Sequence, residues 1–168
     1  MTVNSQLFRK TMGHFATGVS VILAELTPDL HAMTANSLTS VSLDPPLILV
    51  SVDHNARMHT AMTLGAPFTV NILKASQSQL STRFANPHPP ANLFENLTLI
   101  PAPHGIPYLA AALAYIACRV EAIYPGGDHS VVLGRVEDMA VLSEDPPLLF
   151  YQGQYRTLER LAPPGPLT

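Results

Sequence analysis

Alternating and continuous apolar segments, separated by turn residues, predict a chain built mainly of β-strands. Roughly six or seven such segments are bounded by Gly, Pro, Asp or Asn. They are VSVILAEL (19–26), LHAMTAN (30–36), LILVSVD (47–53), FTVNIL (68–73), LAAALAYIACRVEAIY (109–124), HSVVLGRVEDMAVL (129–142) and LLFYQ (148–152). The turn sequences TPD and PGGD lie between successive segments, so each flanking pair is predicted to form an antiparallel hairpin.

Helical periodicity is confined to two or three short segments. The first is predicted to begin at Asn4 or Ser5, which can cap a helix, and to end at Gly18. The segment 55–66 suits a helix with Asn55 at its start and Gly65 near its end. A third short helix is predicted over 76–85.

The segment from Ala85 to Pro107 is predicted to be a long irregular excursion, because six of its 23 residues are proline. Structureless loops beyond ~15 residues are usually functional lids or partner-covering segments. The whole pattern favours a mainly β fold, an antiparallel barrel with helical decoration, over a doubly wound sheet. We expect one domain over residues 1–160 and a proline-rich tail over 161–168.

Composition narrows the possible partners. Only 12% of the 168 residues are charged, about half of average usage, which favours a surface partly covered by a second subunit. The net charge is −3 and the basic residues are scattered, so phosphate-driven nucleic-acid binding is not expected. The apolar runs are shorter than the ~20 residues that a membrane helix needs.

The single cysteine, Cys118, permits no internal disulfide and no thiolate metal cluster. Its place within a strand suits a small buried hydrophobe better than a nucleophile. No signal-peptide layout is visible at the N-terminus, because Gly13 and His14 interrupt the apolar residues. We therefore expect a cytoplasmic protein.

A run of small polar residues follows the second predicted strand. It consists of Thr34, Asn36, Ser37, Thr39, Ser40 and Ser42. Hydroxyl and amide groups at a strand end can recognise the polar edge of a ring-shaped ligand. A Ser/Thr-rich loop that satisfies its own backbone would have the same composition. The residues alone leave both interpretations open.

Two further segments have the composition of an anion site. In SVDHNAR (51–57) a strand runs into a predicted helix start, where backbone N–H groups and Arg57 would favour a phosphate. In STRFA (81–85), Arg83 is a candidate second phosphate contact and Phe84 a wall for a ring. The alternative is a plain helix cap with solvated arginines and a core phenylalanine.

The turn GGDHS carries the one candidate catalytic side chain. His129 is placed to orient a substrate or to stack near a ring, and Asp128 is placed to fix its tautomer. A turn-capping aspartate beside an exposed histidine explains the same residues. The sequence contains no P-loop, no dinucleotide fingerprint and no nucleophile elbow, and its seven histidines lack metal-ligand spacing.

The order of these segments is more specific than any one of them. FATGVSVI, HAMTANSLTSVSLDPPLILVSVD, FTVNIL, LSTRFA, GDHSVVLGRV and PLLFYQGQY together resemble the short-chain flavin reductase family, the small reductase components of two-component flavin-dependent monooxygenases. The resemblance runs from Phe8 to Tyr155. It implies a split β-barrel of the FMN-binding type, with Greek-key character, that works as a homodimer.

The resemblance also implies a cofactor site and a catalytic residue. The implied flavin contacts are Met33, Thr34, Ala35, Asn36 and Ser37 around the isoalloxazine edge, Ser51, Val52 and Asp53 along the ribityl chain, Asn55 and Arg57 near the phosphate, and Arg83 and Phe84 completing the phosphate side. His129, as the catalytic residue, and Tyr155 would lie by the nicotinamide.

The activity implied by the resemblance is that of an NAD(P)H:flavin oxidoreductase. Hydride would pass from NADH or NADPH to FMN or FAD, and the reduced flavin would supply a partner monooxygenase. No covalent nucleophile is needed, because the cofactors carry the reactivity. The sparse basic residues favour NADH, whereas FMN and FAD are not distinguished. The alternatives are a flavin-binding electron-transfer or carrier protein without nicotinamide turnover, and a barrel that uses the same loop for another ligand.

Overall fold

The computed structural model describes residues 3–103 and 105–158, which fold into three helices and twelve strands. The helices are α1 (Ser5–Met12), α2 (Arg57–Ala61) and α3 (Ser78–Phe84), the last preceded by one 3₁₀ turn (Ala75–Gln77). The strands are β1 (Thr17–Gly18), β2 (Ser20–Leu26), β3 (Asp29–Ala35), β4 (Thr39–Leu43), β5 (Pro46–Asp53), β6 (Pro67–Ile72), β7 (Leu99–Ile100), β8 (Tyr108–Leu109), β9 (Ala114–Gly126), β10 (His129–Val141), β11 (Leu149–Tyr151) and β12 (Gln154–Arg156).

Seven of the strands form one antiparallel sheet in the order β3-β2-β6-β9-β10-β5-β4. Both predicted hairpins are confirmed, since β2 pairs with β3 and β9 pairs with β10. β4 and β5 form a third local pair, whereas the other neighbours (β2 with β6, β6 with β9 and β10 with β5) are distant in sequence, so the sheet is not a simple meander. The prediction of a mainly β split barrel with Greek-key character is therefore confirmed.

The pattern of side chains along each strand follows its place in the sheet. Along β5 the buried residues alternate, and Val50 lies opposite Val132 of β10 within the main core. Along β2, by contrast, Ser20 to Ala24 are all buried. Alternate side chains of this central strand enter two different cores, one inside the barrel and one beneath α3. A strand covered on both faces reads as a continuous apolar run.

Gly134 occupies a position where any side chain would clash with its neighbours. A Cβ atom added there would lie 2.5 Å from Cζ of Phe68, one of the largest fully buried side chains. The pairing of β10 with β9 shifts register between Leu133 and Gly134. The glycine thus leaves room for the Phe68 ring to pack against β10 in the main core.

The first helix is shorter than predicted. Asn4 caps it as expected, because its side chain accepts hydrogen bonds from the backbone N–H groups of Gln6 and Leu7. The helix ends at Met12, with Gly13 as its C-cap, rather than at Gly18. Gly18 instead belongs to β1, which begins five residues after the helix ends and pairs with β11.

The second helix also differs from the prediction. Asn55 does not begin it, because the Asp53 carboxylate accepts hydrogen bonds from both the backbone and the side-chain N–H groups of Asn55 and holds it in a turn. The N-cap is Ala56. The helix ends at Ala61, and Gly65 lies beyond it in a turn with φ of +77°.

The proline-rich excursion is more ordered than predicted. β7 lies inside it and pairs with β8, which directly follows it in sequence, and the side chains of Leu93 and Ile106 are buried against the core that contains Phe84. Four strands (β1, β4, β7 and β12) arise from segments that the apolar pattern does not mark as strands. The predicted tail at 161–168 lies outside the described residues.

Candidate functional site

The ends of β3 and β5 are joined through the hydroxyl of Ser37. Its Oγ accepts a hydrogen bond from the backbone N–H of Ser51 at 3.0 Å and lies 3.3 Å from the Ser51 carbonyl oxygen, to which it donates. The two predicted polar segments therefore meet in space. Ser37, one of the hydroxyl residues between Thr34 and Ser42, therefore serves to connect two strands.

A cavity of about 650 Å³ opens beside this junction. Its lining is mainly apolar and comes from α1, β1, β2 and the segment after β3. The lining residues are Met12, Phe15, Ala16, Thr17, Gly18, Val19, Ser20, Asn36, Ser37, Leu38, Thr39 and Ile72. The volume lies in the range of small-molecule sites. Asn36 and Ser37, both predicted to contact a ring edge, lie in its wall.

One polar atom in this wall is unpaired. Oγ1 of Thr17 is buried and has no hydrogen-bond partner among the residues that the structure describes. A buried hydroxyl without a partner costs free energy. Because this atom is closed off from solvent, the polar groups that the wall offers to a ring-shaped ligand are those of other residues, among them Asn36 and Ser37.

A second cavity of about 260 Å³ lies between β3, α2 and α3. The predicted residues Met33, Thr34, Asn55, Arg57 and Phe84 all line it. The Arg57 side chain is exposed there, and Phe84 closes the inner wall with only 3% of its surface exposed. A cationic group at the mouth of a small cavity suits an anion such as phosphate.

The unpredicted residue His31 lines the second cavity as well. Burial lowers the pKa of the His31 imidazole from its ordinary value, and the positive charge of Arg57 lowers it further. His31 precedes Met33 by two positions on β3. Because strand side chains repeat with a period of two, this spacing is the signal that would have pointed to it.

The two cavities flank the same strand end. Thr34 lines the smaller one and Asn36 the larger one, and two residues of extended chain span at most ~7 Å. The predicted contacts to a ring and to a phosphate are thus adjacent. Ala35 between them is buried, so its contribution to a ligand would come from the backbone. The same holds for Val52, whose side chain lies in the main core.

Tyr155 is held by α3. Its hydroxyl donates to Oγ of Ser81 at 2.8 Å, and Oγ1 of Thr34 donates to the Ser81 carbonyl oxygen at 2.6 Å. Tyr155 also packs edge-on against Phe150. The predicted residues Thr34 and Tyr155 are therefore connected through Ser81, which is fully buried.

Arg83 points away from Arg57. Its Nη1 donates to the Glu95 carbonyl oxygen at 3.2 Å, and it lines a separate cavity with Asn92 and Asn96. The structure thus brings Arg57 and Phe84 to one cavity and takes Arg83 to another.

His129 begins β10 directly opposite Asp53 of β5. Its Nδ1 lies 2.7 Å from Oδ1 of Asp128, so Nε2 remains the ring nitrogen available to a ligand. The hydrogen bond from His129 lowers the pKa of the Asp128 carboxyl, with smaller electrostatic contributions from His129 and His54. The carboxylate is then ionised at neutral pH and can hold the imidazole in one orientation, whereas the catalytic role of His129 stays a prediction.

Comparison with known proteins identifies the family. Residues 12–159 match the model of the flavin reductase like domain. The chain belongs to this family. An NADH-dependent flavin reductase of a Rhodococcus species is 40% identical over 157 residues, covering 91% of this chain and 86% of the relative. The reductase component of 4-hydroxyphenylacetate 3-monooxygenase from Thermus thermophilus is 35% identical, covering 91% of this chain and 96% of that protein.

Solved structures agree with this assignment. The NADH:FAD oxidoreductase of Streptomyces globisporus superposes with a TM-score of 0.86 at 33% identity, covering 98% of this chain and 95% of that one. Membership in the family and the split-barrel fold were both predicted from the sequence, and both are confirmed.

The residues present fit a flavin. The large cavity offers a mainly apolar wall with the polar side chains of Asn36 and Ser37, and the small cavity offers a guanidinium. Within residues 3–103 and 105–158, no group of three His, Cys, Asp or Glu side chains is placed to hold a metal. None of the helices in these ranges is long and apolar enough to cross a membrane.

Proposed function

We propose that the protein is an NADH-dependent flavin reductase that delivers reduced FMN or FAD to a flavin-dependent monooxygenase. The observation that supports this most directly is the meeting of the two predicted polar segments, with a ring-sized apolar cavity on one side of β3 and a cationic cavity on the other. Family membership supports the same activity.

In this proposal the ring of the flavin occupies the large cavity. Asn36 and Ser37 face its polar edge. The polar groups of the segment after β3, from Asn36 and Ser37, are the natural partners of an electron-rich ring edge, because the Ser51 N–H already donates to Oγ of Ser37. Entry into the cavity would remove the apolar surface of the ring from water, and this burial favours binding.

The phosphate end lies in the small cavity. Arg57 pairs with it, Asn55 and Thr34 line the same wall, and Met33 and Phe84 exclude water beneath it. Asp53 holds the turn that presents Asn55. Arg83 is predicted as a second phosphate contact. Its guanidinium donates to the Glu95 carbonyl oxygen and lies outside the small cavity, so that role stays a prediction.

A bound flavin supplies the hydride acceptor, and the protein has to hold the nicotinamide against it. His129 is placed to do so, because Asp128 fixes one ring nitrogen and leaves the other for the ligand. Tyr155, predicted beside the nicotinamide, is oriented by Ser81 and Thr82. No nucleophile is required of the protein; Cys118 is buried, and burial raises the pKa of its thiol to about 12.

The names of the relatives support the choice of NADH over NADPH. The Rhodococcus relative is NADH-dependent, and the Thermus relative is the reductase component of a monooxygenase. FMN and FAD are both acceptors in this proposal, because the adenosine half of FAD has no assigned contact on the protein. The cytoplasmic location stays a prediction from the sequence.

The working unit in this proposal is a homodimer. The apolar residues of α1 and the segment after it are exposed, with 60% of Leu7, 59% of Phe8 and 69% of Phe15 accessible. Phe15 also lines the large cavity, so a second copy that covers this face would close the ring site too. Sedimentation velocity is the direct test, and a monomer at micromolar concentration would contradict the dimer.

The deciding experiment follows NADH absorbance with the purified protein, with and without FMN or FAD, and repeats each series with NADPH. We expect fast oxidation of NADH that saturates with free flavin. Tight flavin binding without NADH oxidation would replace the reductase by a flavin carrier. Oxidation that needs no added flavin and releases none would contradict delivery of a diffusible product.

A further inference from the structure

The small cavity contains a second ionisable side chain that the proposed function does not use. His31 lies in its wall together with Arg57, Asn55 and Asn86. His31 is partly buried on β3, the edge strand of the large sheet. A half-buried imidazole beside a guanidinium resists protonation, and here burial and Arg57 both lower the pKa of His31.

An anion entering this cavity would reverse that situation. Its negative charge opposes the field of Arg57 and favours the imidazolium form. The imidazolium would then be a charge-assisted donor to the same anion, and such hydrogen bonds are roughly twice as strong as neutral ones. Binding and protonation would therefore strengthen each other.

We propose that His31 is a second phosphate-binding residue of this cavity and takes up a proton when the flavin phosphate binds beside Arg57. This inference rests on the proposed function for the identity of the ligand. In it, Arg57 supplies a permanent charge, whereas His31 supplies a charge that appears only when the phosphate is present.

Other charged side chains near β3 do not share this position. The elements packed against β3 are β2, α2 and α3. They carry Glu25, Arg57, His59 and Arg83. Of these four, only Arg57 lines the cavity. The side chains of Glu25, His59 and Arg83 make hydrogen bonds elsewhere. His31 and Arg57 are thus the pair that a phosphate would meet.

The test measures flavin affinity by the quenching of flavin fluorescence between pH 8 and pH 6. Riboflavin, which lacks the phosphate, is titrated beside FMN. We expect the affinity of the unaltered protein for FMN to rise as the pH falls, by up to about tenfold for each unit by which binding raises the pKa of His31. The affinity for riboflavin should stay constant over the same range.

The variants His31→Ala and His31→Gln isolate the effect. FMN changes its own charge near pH 6, but that change is common to all the proteins. We therefore expect both variants to lose the part of the pH dependence that exceeds it. His14→Ala is the matched control, because His14 is exposed at the end of α1 and bonded to Gln152. Its FMN profile should match that of the unaltered protein.

A direct readout is the titration of the histidine C2 protons by NMR, with the His31 signal assigned by its loss in the variants. We expect the pKa of His31 to rise when FMN saturates the protein and to stay unchanged with riboflavin. An unchanged pKa, or FMN profiles for the variants that match the unaltered protein, would overturn the inference. Neither readout uses NADH, so failure here and failure of reductase activity are separate results.

Discussion

The two cavities at the end of β3 differ in what their walls offer. The larger one is lined mainly by apolar and small polar residues, and its lining includes no charged side chain among the described residues. The smaller one holds Arg57 and His31. Both draw on one short segment, with Met33 and Thr34 on one side and Asn36 and Ser37 on the other.

This difference separates two kinds of recognition. Burial in an apolar cavity is proportional to area and does not depend on charge. Pairing with a guanidinium depends on charge and weakens with salt. A ligand that carries a ring at one end and a phosphate at the other would use both, and each half can be tested with a ligand that lacks the other.

Filling the large cavity should have the largest effect. Gly18 lines it, and a Cβ added there meets no heavy atom within 4 Å. Gly18→Leu would place a branched side chain in the space assigned to the ring. We expect the affinities for riboflavin and FMN to fall together, on the order of 100-fold, as measured by fluorescence quenching.

Gly18→Ala is the control for that variant, because a single methyl group leaves most of the cavity open. We expect its affinities to stay within about threefold of the unaltered protein. Equal binding by Gly18→Leu would show that the ring lies elsewhere.

Removing the permanent charge of the small cavity should have a more selective effect. We expect Arg57→Ala to weaken FMN binding by about 10- to 100-fold, because a hydrogen bond to a charged group contributes roughly 1.5–3 kcal/mol. Riboflavin binding should not change. A parallel loss for both ligands would mean that Arg57 acts through the fold and not through the phosphate.

Arg83→Ala is the informative comparison for Arg57. The sequence predicts Arg83 as a second phosphate contact, whereas its side chain bonds to the Glu95 carbonyl oxygen. A selective loss of FMN affinity equal to that of Arg57→Ala would establish the predicted contact. Unchanged FMN affinity would leave Arg57 as the cationic contact and would correct the prediction.

The nicotinamide side is tested by a variant that should leave both cavities intact. His129 begins β10 and bonds to Asp128, and it lines neither cavity. We expect His129→Ala to slow hydride transfer or to raise the KM for NADH by about tenfold, while FMN affinity is retained. The size corresponds to one lost hydrogen bond at the site.

Stopped-flow oxidation of NADH with FMN in excess measures this effect. Asp128→Asn keeps a hydrogen-bonding side chain next to His129 and should have a smaller effect. If His129→Ala turns over NADH at the normal rate and KM, then the residue is a surface histidine beside a turn, which is the alternative that the sequence left open.

The sequence predicts the barrel better than it predicts the site. Alternation along β9 and β10 and the turn at PGGD identify two strands whose pairing is local, and Gly127 in that turn has φ of +76°. The apolar pattern does not predict β4, because β4 is an edge strand that pairs on one side only. Its hydroxyl residues remain solvated there, so the segment resembles a loop.

The short hairpin of β11 and β12 carries a local signal in its sequence. Gln152 and Gly153 both have positive φ, at 50° and 75°. A two-residue loop of this kind is typical of a hairpin turn, and aromatic residues flank it in FYQGQY. The packing of Tyr155 on Ser81, 74 residues away, depends on how the whole chain folds. No local pattern predicts such a contact.

The smallest effect on stability and binding is expected at the two hydrogen bonds between Ser37 and Ser51. Ser37→Ala removes the hydroxyl that accepts from the Ser51 N–H and donates to its carbonyl. We expect the free energy of unfolding to fall by about 1 kcal/mol, as measured by urea denaturation, against Ser40→Ala at an exposed position of β4 as the control. Because Ser37 connects β3 to β5, riboflavin and FMN should lose affinity to the same modest extent. A loss confined to FMN would place Ser37 on the phosphate side and would contradict the division of the site into two halves.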